Sequence, residues 1–296
     1  MNNKEPLVSV IMPTYKNDKS FQNAISSVLN QSYKNLELII VDDNFDGNIK
    51  NNNEKLINSI NDNRIRYIQN EKNIGSAASR NKAIWLAKGE YITFLDDDDL
   101  YLADKIKNQV FEMMKNDFDF SASNVLLYNS SDKVIDKRSR TYLYNKHKES
   151  LFVKHLKYHI TCTDTLMFKT NFIKEINGFD NNDLGDEFFL MSKAFQKSPK
   201  FCHINKYDVK AFVHNDTGLS SYSNKISNEE VLYNYKLQFK DMLSKADLRY
   251  IRMRHFAVYA YAYKKAKKYL KCLNYVIKSF FACPNGFFTL FNGKGK

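Results

Sequence analysis

The first hundred residues alternate short apolar runs with segments of helical spacing, and that alternation leaves few folds open. Val8-Ser9-Val10-Ile11-Met12 reads as a strand, after which Phe21, Ala24, Ile25, Val28 and Leu29 recur at helical spacing. Residues 36–41 form an apolar run interrupted only by Glu37, as expected of a parallel strand buried on both faces. A polar helix holding Leu56, Ile57 and Ile60 comes next, then a short strand at 65–68, a helix at 76–87 and a fourth strand at 91–95. Strands separated by helices predict an α/β fold with a mostly parallel sheet and right-handed crossovers.

The fourth strand ends in Asp96-Asp97-Asp98-Asp99. Adjacent carboxylates repel, so packing four together is costly unless a cation neutralises them. Mg²⁺ and Mn²⁺ take oxygen ligands and bridge protein carboxylates to substrate phosphates. The competing reading is a solvated turn in which Asp98 or Asp99 caps the next helix. Position favours the metal–diphosphate site, because open α/β sheets bind ligands at the C-terminal ends of their strands. The other three strands also lead into polar clusters. These are Pro13-Thr14-Tyr15, then Asp42-Asp43-Asn44 with Asp46, then Asn73-Ile74-Gly75 with Arg80-Asn81. Each alone is ordinary turn chemistry; four along one sheet edge make a site. Asp43 can accept from a base imide, Tyr15 can pack on a ring, and Arg80 can pair with phosphate or base oxygens. The chain has no G-x-G-x-x-G loop, so the aspartates and a metal would have to neutralise a diphosphate.

Beyond Asp99 the pattern loosens. Ile106, Val110 and Met113 mark a helix, 118–128 a strand, 129–147 an exposed loop, 165–168 another strand and 188–195 a helix. Residues 228–282 are helical in composition, with Pro284 and Gly286 as the breaker. The expected organisation is a catalytic domain over 1–227, in halves 1–100 and 101–227, and a basic, aromatic helical extension over 228–296.

The formal charge of +12 sits almost wholly in that extension: from Asp247 onward there are eleven Lys/Arg and one acid. Tyr250, Phe256, Tyr259, Tyr263 and Tyr269 are interleaved with them. The extension could pack its aromatics on the catalytic core, or anchor peripherally on an anionic membrane leaflet, the reading preferred here. Interleaved aromatics and bases also suit single-stranded nucleic acid. No nucleic-acid module accompanies them, and no such partner is expected. Four scattered cysteines without a CxxC pair fit a reducing cytoplasm. The apolar stretch 7–12 is too short for a signal peptide, and no run of about 18 apolar residues predicts a membrane span.

Val10-Ile11-Met12-Pro13-Thr14-Tyr15, Val41-Asp42-Asp43, Asn73-Ile74-Gly75 with Ala78-Ser79-Arg80-Asn81, Gly89-Glu90-Tyr91 and Phe94-Leu95 before the four aspartates resemble family 2 glycosyltransferases in ordered spacing. The resemblance implies an inverting enzyme with the GT-A fold, a UDP-sugar donor and Mn²⁺ or Mg²⁺. It makes Asp43 the uracil-binding aspartate, and Asp96 and Asp98 the ends of a DxD motif, with Asp98 the direct metal ligand. Pro13, Thr14, Tyr15, Asn73, Gly75, Arg80 and Asp97 complete the implied donor site. Asn177-Gly178-Phe179-Asp180 resembles the family's GFD turn, and Gly185-Asp186-Glu187-x-x-Leu190 stands where Glu-Asp-x-x-Leu is usual. The acid three residues before Leu acts as base in the family. Here that is Glu187, but the exchanged order of the acids leaves Asp186 open as well. His214 stands where some relatives contact metal or diphosphate. The implied reaction moves a hexose or N-acetylhexosamine to a hydroxyl of a lipid-linked or surface glycan. A sugar-nucleotide pyrophosphorylase is the rival enzyme, though it lacks its glycine-rich loop here. A basic nucleic-acid-binding protein would explain the charge but not the aspartates.

Overall fold

The computed structural model describes residues 5–16, 19–140, 143, 150–180, 185–197, 199–213 and 222–291. In chain order it runs β1 (Val8–Thr14), α1 (Ser20–Leu29), β2 (Leu36–Asp42), α2 (Gly47–Ile60), β3 (Ile65–Gln69), α3 (Ser76–Leu86) and β4 (Tyr91–Phe94). Then come β5 (Leu100–Tyr101), α4 (Lys105–Lys115), β6 (Phe120–Tyr128), β7 (Val134–Arg138), α5 (Leu151–Tyr158), β8 (Leu166–Lys169), α6 (Thr170–Glu175) and α7 (Asp186–Gln196). β9 (Phe201–Phe212) is followed by α8 (Tyr222–Leu237), α9 (Lys245–Lys265), α10 (Tyr269–Ala282) and α11 (Pro284–Phe291). The chain forms two compact units, residues 1–139 with 161–213, and residues 140–160 with 214–296.

The first unit is built on one sheet in the order β3-β2-β1-β4-β8-β6-β9-β5, with β7 paired to β6. β1 is parallel to β2 and to β4, and β2 is parallel to β3, as the alternating pattern predicts. Every residue of β1 is buried, and it reads as apolar apart from Ser9 and Thr14. Phe21, Ile25 and Val28 of α1 join Val8, Val10, Met12, Leu38 and Ile40 in one core cluster. Each such side chain contributes about 1.5–3 kcal/mol through burial.

Two features of this topology make a site. The chain leaves β1 toward β2 on one side and returns to β4 on the other, so a crevice opens at the C-terminal ends of β1 and β4. β8 then lies antiparallel to β4, with Thr93 opposite Met167. Its N-terminal end, and residues 162–165 ahead of it, therefore meet the same sheet edge as the aspartates.

The expected α/β sheet gains antiparallel pairs beyond β4, where β8 is antiparallel to both its neighbours. Other expectations need correction. The stretch read as an exposed loop contains β7, an edge strand paired with β6. Neither Asp98 nor Asp99 caps a helix: Asp99 N–H bonds back to Asp96 O, and the chain enters β5. α4 starts only at Lys105, with Asp104 at its cap position. Pro284 opens α11, at the first helical turn where its missing N–H costs nothing.

In the second unit, Ser244 and Asp247 form a capping box that starts α9. Lys157 of α5 pairs with Asp247 at 2.6 Å. Tyr275 of α10 stacks on Tyr259 and Tyr263 of α9, with ring centroids 4.8 and 5.4 Å apart. Part of the aromatic content noted in the sequence is thus used to hold these helices together.

Candidate active site

At the crevice, Thr14 Oγ1 donates to Asp97 Oδ2 at 2.5 Å, joining the end of β1 to the turn after β4. Ser20 Oγ donates to the Asp97 carbonyl at 3.1 Å. Burial pushes the Asp97 carboxyl up to about 7, against the pull of the Thr14 hydroxyl. Pro13 is buried in register with Val41, whereas the neighbouring Tyr15 ring is exposed.

Asp43 follows β2 and is buried. Its Oδ1 accepts from Ile74 N–H at 2.9 Å and from Asn70 Nδ2 at 2.9 Å, and its Oδ2 accepts from Gly75 N–H at 2.9 Å. Asn73 Nδ2 bonds the Asp43 carbonyl at 3.3 Å. The turn needs Gly75 because its φ is +88°, which other residues rarely adopt. A carboxylate has about four lone-pair positions, so one on Oδ2 is left for a ligand.

Arg80 of α3 is the hub. Its Nη2 donates to Asp96 Oδ1 at 2.6 Å and its Nη1 to Asp186 Oδ2 at 2.9 Å. Burial opposes its charge, but the two carboxylates outweigh that and raise its pKa, so the guanidinium stays charged. Both ends of the fork thus rest on Asp96 and Asp186. Nε is buried with no acceptor among the described residues. The Phe179 ring lies 5.4 Å from the guanidinium carbon. Asn81 clasps that residue, donating to Phe179 O and accepting from Phe179 N–H, both at 2.8 Å. Gly178 has φ +54°, and a Cβ there would overlap Asn81 Oδ1. Gly178→Ala is expected to destabilise the fold by about 1–3 kcal/mol, seen as a lower urea midpoint at unchanged slope. An unchanged midpoint would show that the clasp yields.

The two acids opening α7 have different surroundings. Glu187 is occupied: Oε2 accepts from Cys162 N–H at 2.9 Å, and Oε1 accepts from Thr163 N–H at 3.0 Å and from the Thr163 hydroxyl. These bonds hold Cys162 at φ +92°, a conformation disfavoured for any residue with a Cβ. Asp186 instead faces Arg80. Burial pushes its carboxyl up to about 7 in spite of that cation, and Glu187 adds to the rise.

Sequence reasoning missed Asp164. It is buried ahead of β8, and its Oδ1 accepts from Asp96 N–H at 3.0 Å. Burial first, then Asp96, pushes its carboxyl up to about 8. Asp99, which accepts from Phe212 N–H at 2.8 Å, is raised by burial and by Asp164. Lys105 is buried below, donating to Thr93 and to Tyr101, and burial lowers it to about 7. Asp164 stands in Thr-Asp-Thr, ordinary polar text. Only the knowledge that the next strand lies antiparallel to β4 would have directed attention to it.

Among the described residues no three His, Cys, Asp or Glu side chains gather into a metal cage. Asp96 and Asp98, both partly exposed, offer hard oxygen donors at the open sheet edge. Such a sparse set suits Mg²⁺ or Mn²⁺, which keep waters and share substrate phosphates. His214 lies outside the described residues.

The family description "Glycosyl transferase family 2" matches residues 9–176. An uncharacterized glycosyltransferase of Methanocaldococcus jannaschii is 30% identical over 240 residues, 78% of each chain. The Escherichia coli enzyme named UDP-Glc:alpha-D-GlcNAc-diphosphoundecaprenol beta-1,3-glucosyltransferase WfaP is 34% identical over 209 residues, 70% of this chain and 78% of that one. Among solved structures, TarS 1-349 of S. aureus in complex with UDP-GlcNAc superposes with a TM-score of 0.57 at 16% identity, covering 97% of this chain and 92% of that one. The mannosyltransferase PcManGT of Pyrobaculum calidifontis, in complex with GDP-Man and Mn²⁺, gives 0.63 at 16% identity, covering 99% and 80%. These two likenesses are likenesses of fold.

Proposed function

The chain belongs to glycosyl transferase family 2, and we propose that it moves a hexose or N-acetylhexosamine from a UDP-sugar to a hydroxyl of a lipid-linked glycan, with inversion. The observation that carries this reading is the Asp96–Arg80–Asp186 bridge, which brings an acid of raised pKa beside the four aspartates.

In this reading Asp186, rather than the sequence-preferred Glu187, is the base. A proton acceptor near neutrality is well matched to an alcohol that becomes acidic as it attacks. Asp186 takes the acceptor hydroxyl's proton while that oxygen bonds the anomeric carbon and the bond to the diphosphate breaks, releasing UDP. Glu187 serves by holding the 162–163 turn, and through it Asp164 against the Asp96 backbone. The remaining Oδ2 lone pair of Asp43 accepts from the uracil imide, with the exposed Tyr15 ring beside it. Arg80 Nε is a donor left for a ligand oxygen. Asp98, with Asp96, would hold the divalent cation, which when bound supplies Lewis-acid stabilisation of charge on the leaving diphosphate.

The donor and acceptor classes lean on the printed name of WfaP and on the UDP-GlcNAc complex of TarS. Incubation with Mn²⁺, a polyprenyl-diphosphate-linked sugar and UDP-glucose, UDP-N-acetylglucosamine or GDP-mannose in parallel is the test. The expected result is UDP release with an acceptor one sugar heavier. Release of pyrophosphate, or transfer only from GDP-mannose, rejects the reading.

A further inference from the structure

α10 is apolar on two opposite sides. One side packs within its unit, where Tyr275 meets the tyrosines of α9 and Ser279 Oγ donates to Met253 O at 2.8 Å. The other side carries Leu270, Leu273, Ile277 and Phe281, which are 87%, 57%, 47% and 72% exposed. Their spacing of three, four and four residues aligns them in one stripe over three turns. Phe288 of α11 is also exposed, and its ring meets Phe280 at 5.9 Å. Contiguous apolar exposure of this kind marks a surface meant to be covered.

The charges beside the stripe say by what. The Lys271 ammonium lies 5.5 Å from the Tyr263 ring and the Lys278 ammonium 4.8 Å from the Tyr275 ring, which fixes both cations along the stripe's flank. Residues 248–296 contain eleven Lys/Arg and no Asp or Glu. No described helix is long and apolar enough to cross a membrane.

We propose that this face of α10 docks on an anionic bilayer surface. Leu270, Leu273, Ile277 and Phe281 enter the headgroup–acyl boundary, and Lys271 and Lys278 meet lipid phosphates. A second copy of the chain is disfavoured as occupant, because it would bring an equally acid-free, cationic helix against this one. The inference is independent of the donor and base assignments.

The test is flotation of the full-length protein with phosphatidylcholine vesicles, with and without phosphatidylglycerol, at low and high salt. The wild type is expected to float with the anionic vesicles at low salt and less well at high salt. The variant Leu270→Asp/Leu273→Asp/Ile277→Asp should bind about tenfold more weakly or worse, while melting like the wild type and still using a water-soluble acceptor. Lys271→Glu/Lys278→Glu, which leaves the apolar stripe intact, should lose the preference for anionic lipid. Absence of wild-type flotation at low salt overturns the proposal. So does undiminished binding by both variants. A wild-type dimer that the first variant dissolves, with no flotation, assigns the face to a second copy and overturns it as well.

Discussion

Asp186→Asn is expected to lower kcat by about 10²–10⁴-fold, the usual worth of a positioned general base. The amide oxygen can still accept from Arg80 Nη1, which lies 2.9 Å from the carboxylate. The Arg80–Asp96 contact, and with it donor KM, should therefore be nearly unchanged. The sign of the pH dependence follows from the raised pKa. Asp186 must be ionised to accept a proton, and its carboxyl is pushed up to about 7. In the wild type kcat/KM should therefore fall as pH drops through about 7, and in the variant that limb should flatten. Glu187→Gln provides the contrast. Its amide would face the Cys162 or Thr163 N–H, losing a bond worth about 1–3 kcal/mol, so stability should drop more than kcat. A dead Glu187→Gln of normal stability beside an active Asp186→Asn would reverse the assignment.

Asp98→Ala is the second large effect. Losing a ligand to the cation on the leaving diphosphate should cost a few kcal/mol of charge stabilisation, or about 10²–10³-fold in kcat. Chelation of the wild type by EDTA should match it, with UDP binding in Mn²⁺ weakened in parallel. Stability separates this from simple damage. Removing one of four crowded carboxylates relieves repulsion, so the metal-free variant should melt no lower than the metal-free wild type. Full turnover in EDTA, or in Asp98→Ala, sinks the metal assignment.

The parallel half of the sheet was legible because its physics is local. Strands buried on both faces, such as 38–41, must be almost wholly apolar, and the helices between them must alternate at 3.6 residues. The polar clusters at strand ends were legible for the same reason, since a parallel sheet delivers all its C-terminal ends to one edge. What could not be read depends on pairing across long separations. Leu166–Lys169 is three apolar residues and a lysine whose partner could be either edge of any strand, and without that partner Asp164 has no visible role. The choice between Asp186 and Glu187 had the same origin. Spacing to Leu190 favoured Glu187, but spacing cannot reveal that Glu187 accepts from the Cys162 and Thr163 backbone while Asp186 faces Arg80. β7 escaped because an exposed edge strand has no apolar face to impose a period.

The insertion of β8 beside β4 also sets an order of events. Arg80 reaches Asp96 across 16 residues, but Asp164 reaches Asp96 across 68 and Asp186 reaches Arg80 across 106. Contacts of such separation form late, because a long loop must close before they return any energy. On the ribosome the aspartates can meet their partners from the first hundred residues, Thr14 and Ser20 at Asp97 and Arg80 at Asp96, before Asp164 and Asp186 have been made. The proposed base and the buried acid are expected to arrive together, when β8 pairs with β4 and α7 follows it. A chain stopped before β8 lacks the proposed proton acceptor, and is expected to leave sugar nucleotide unspent.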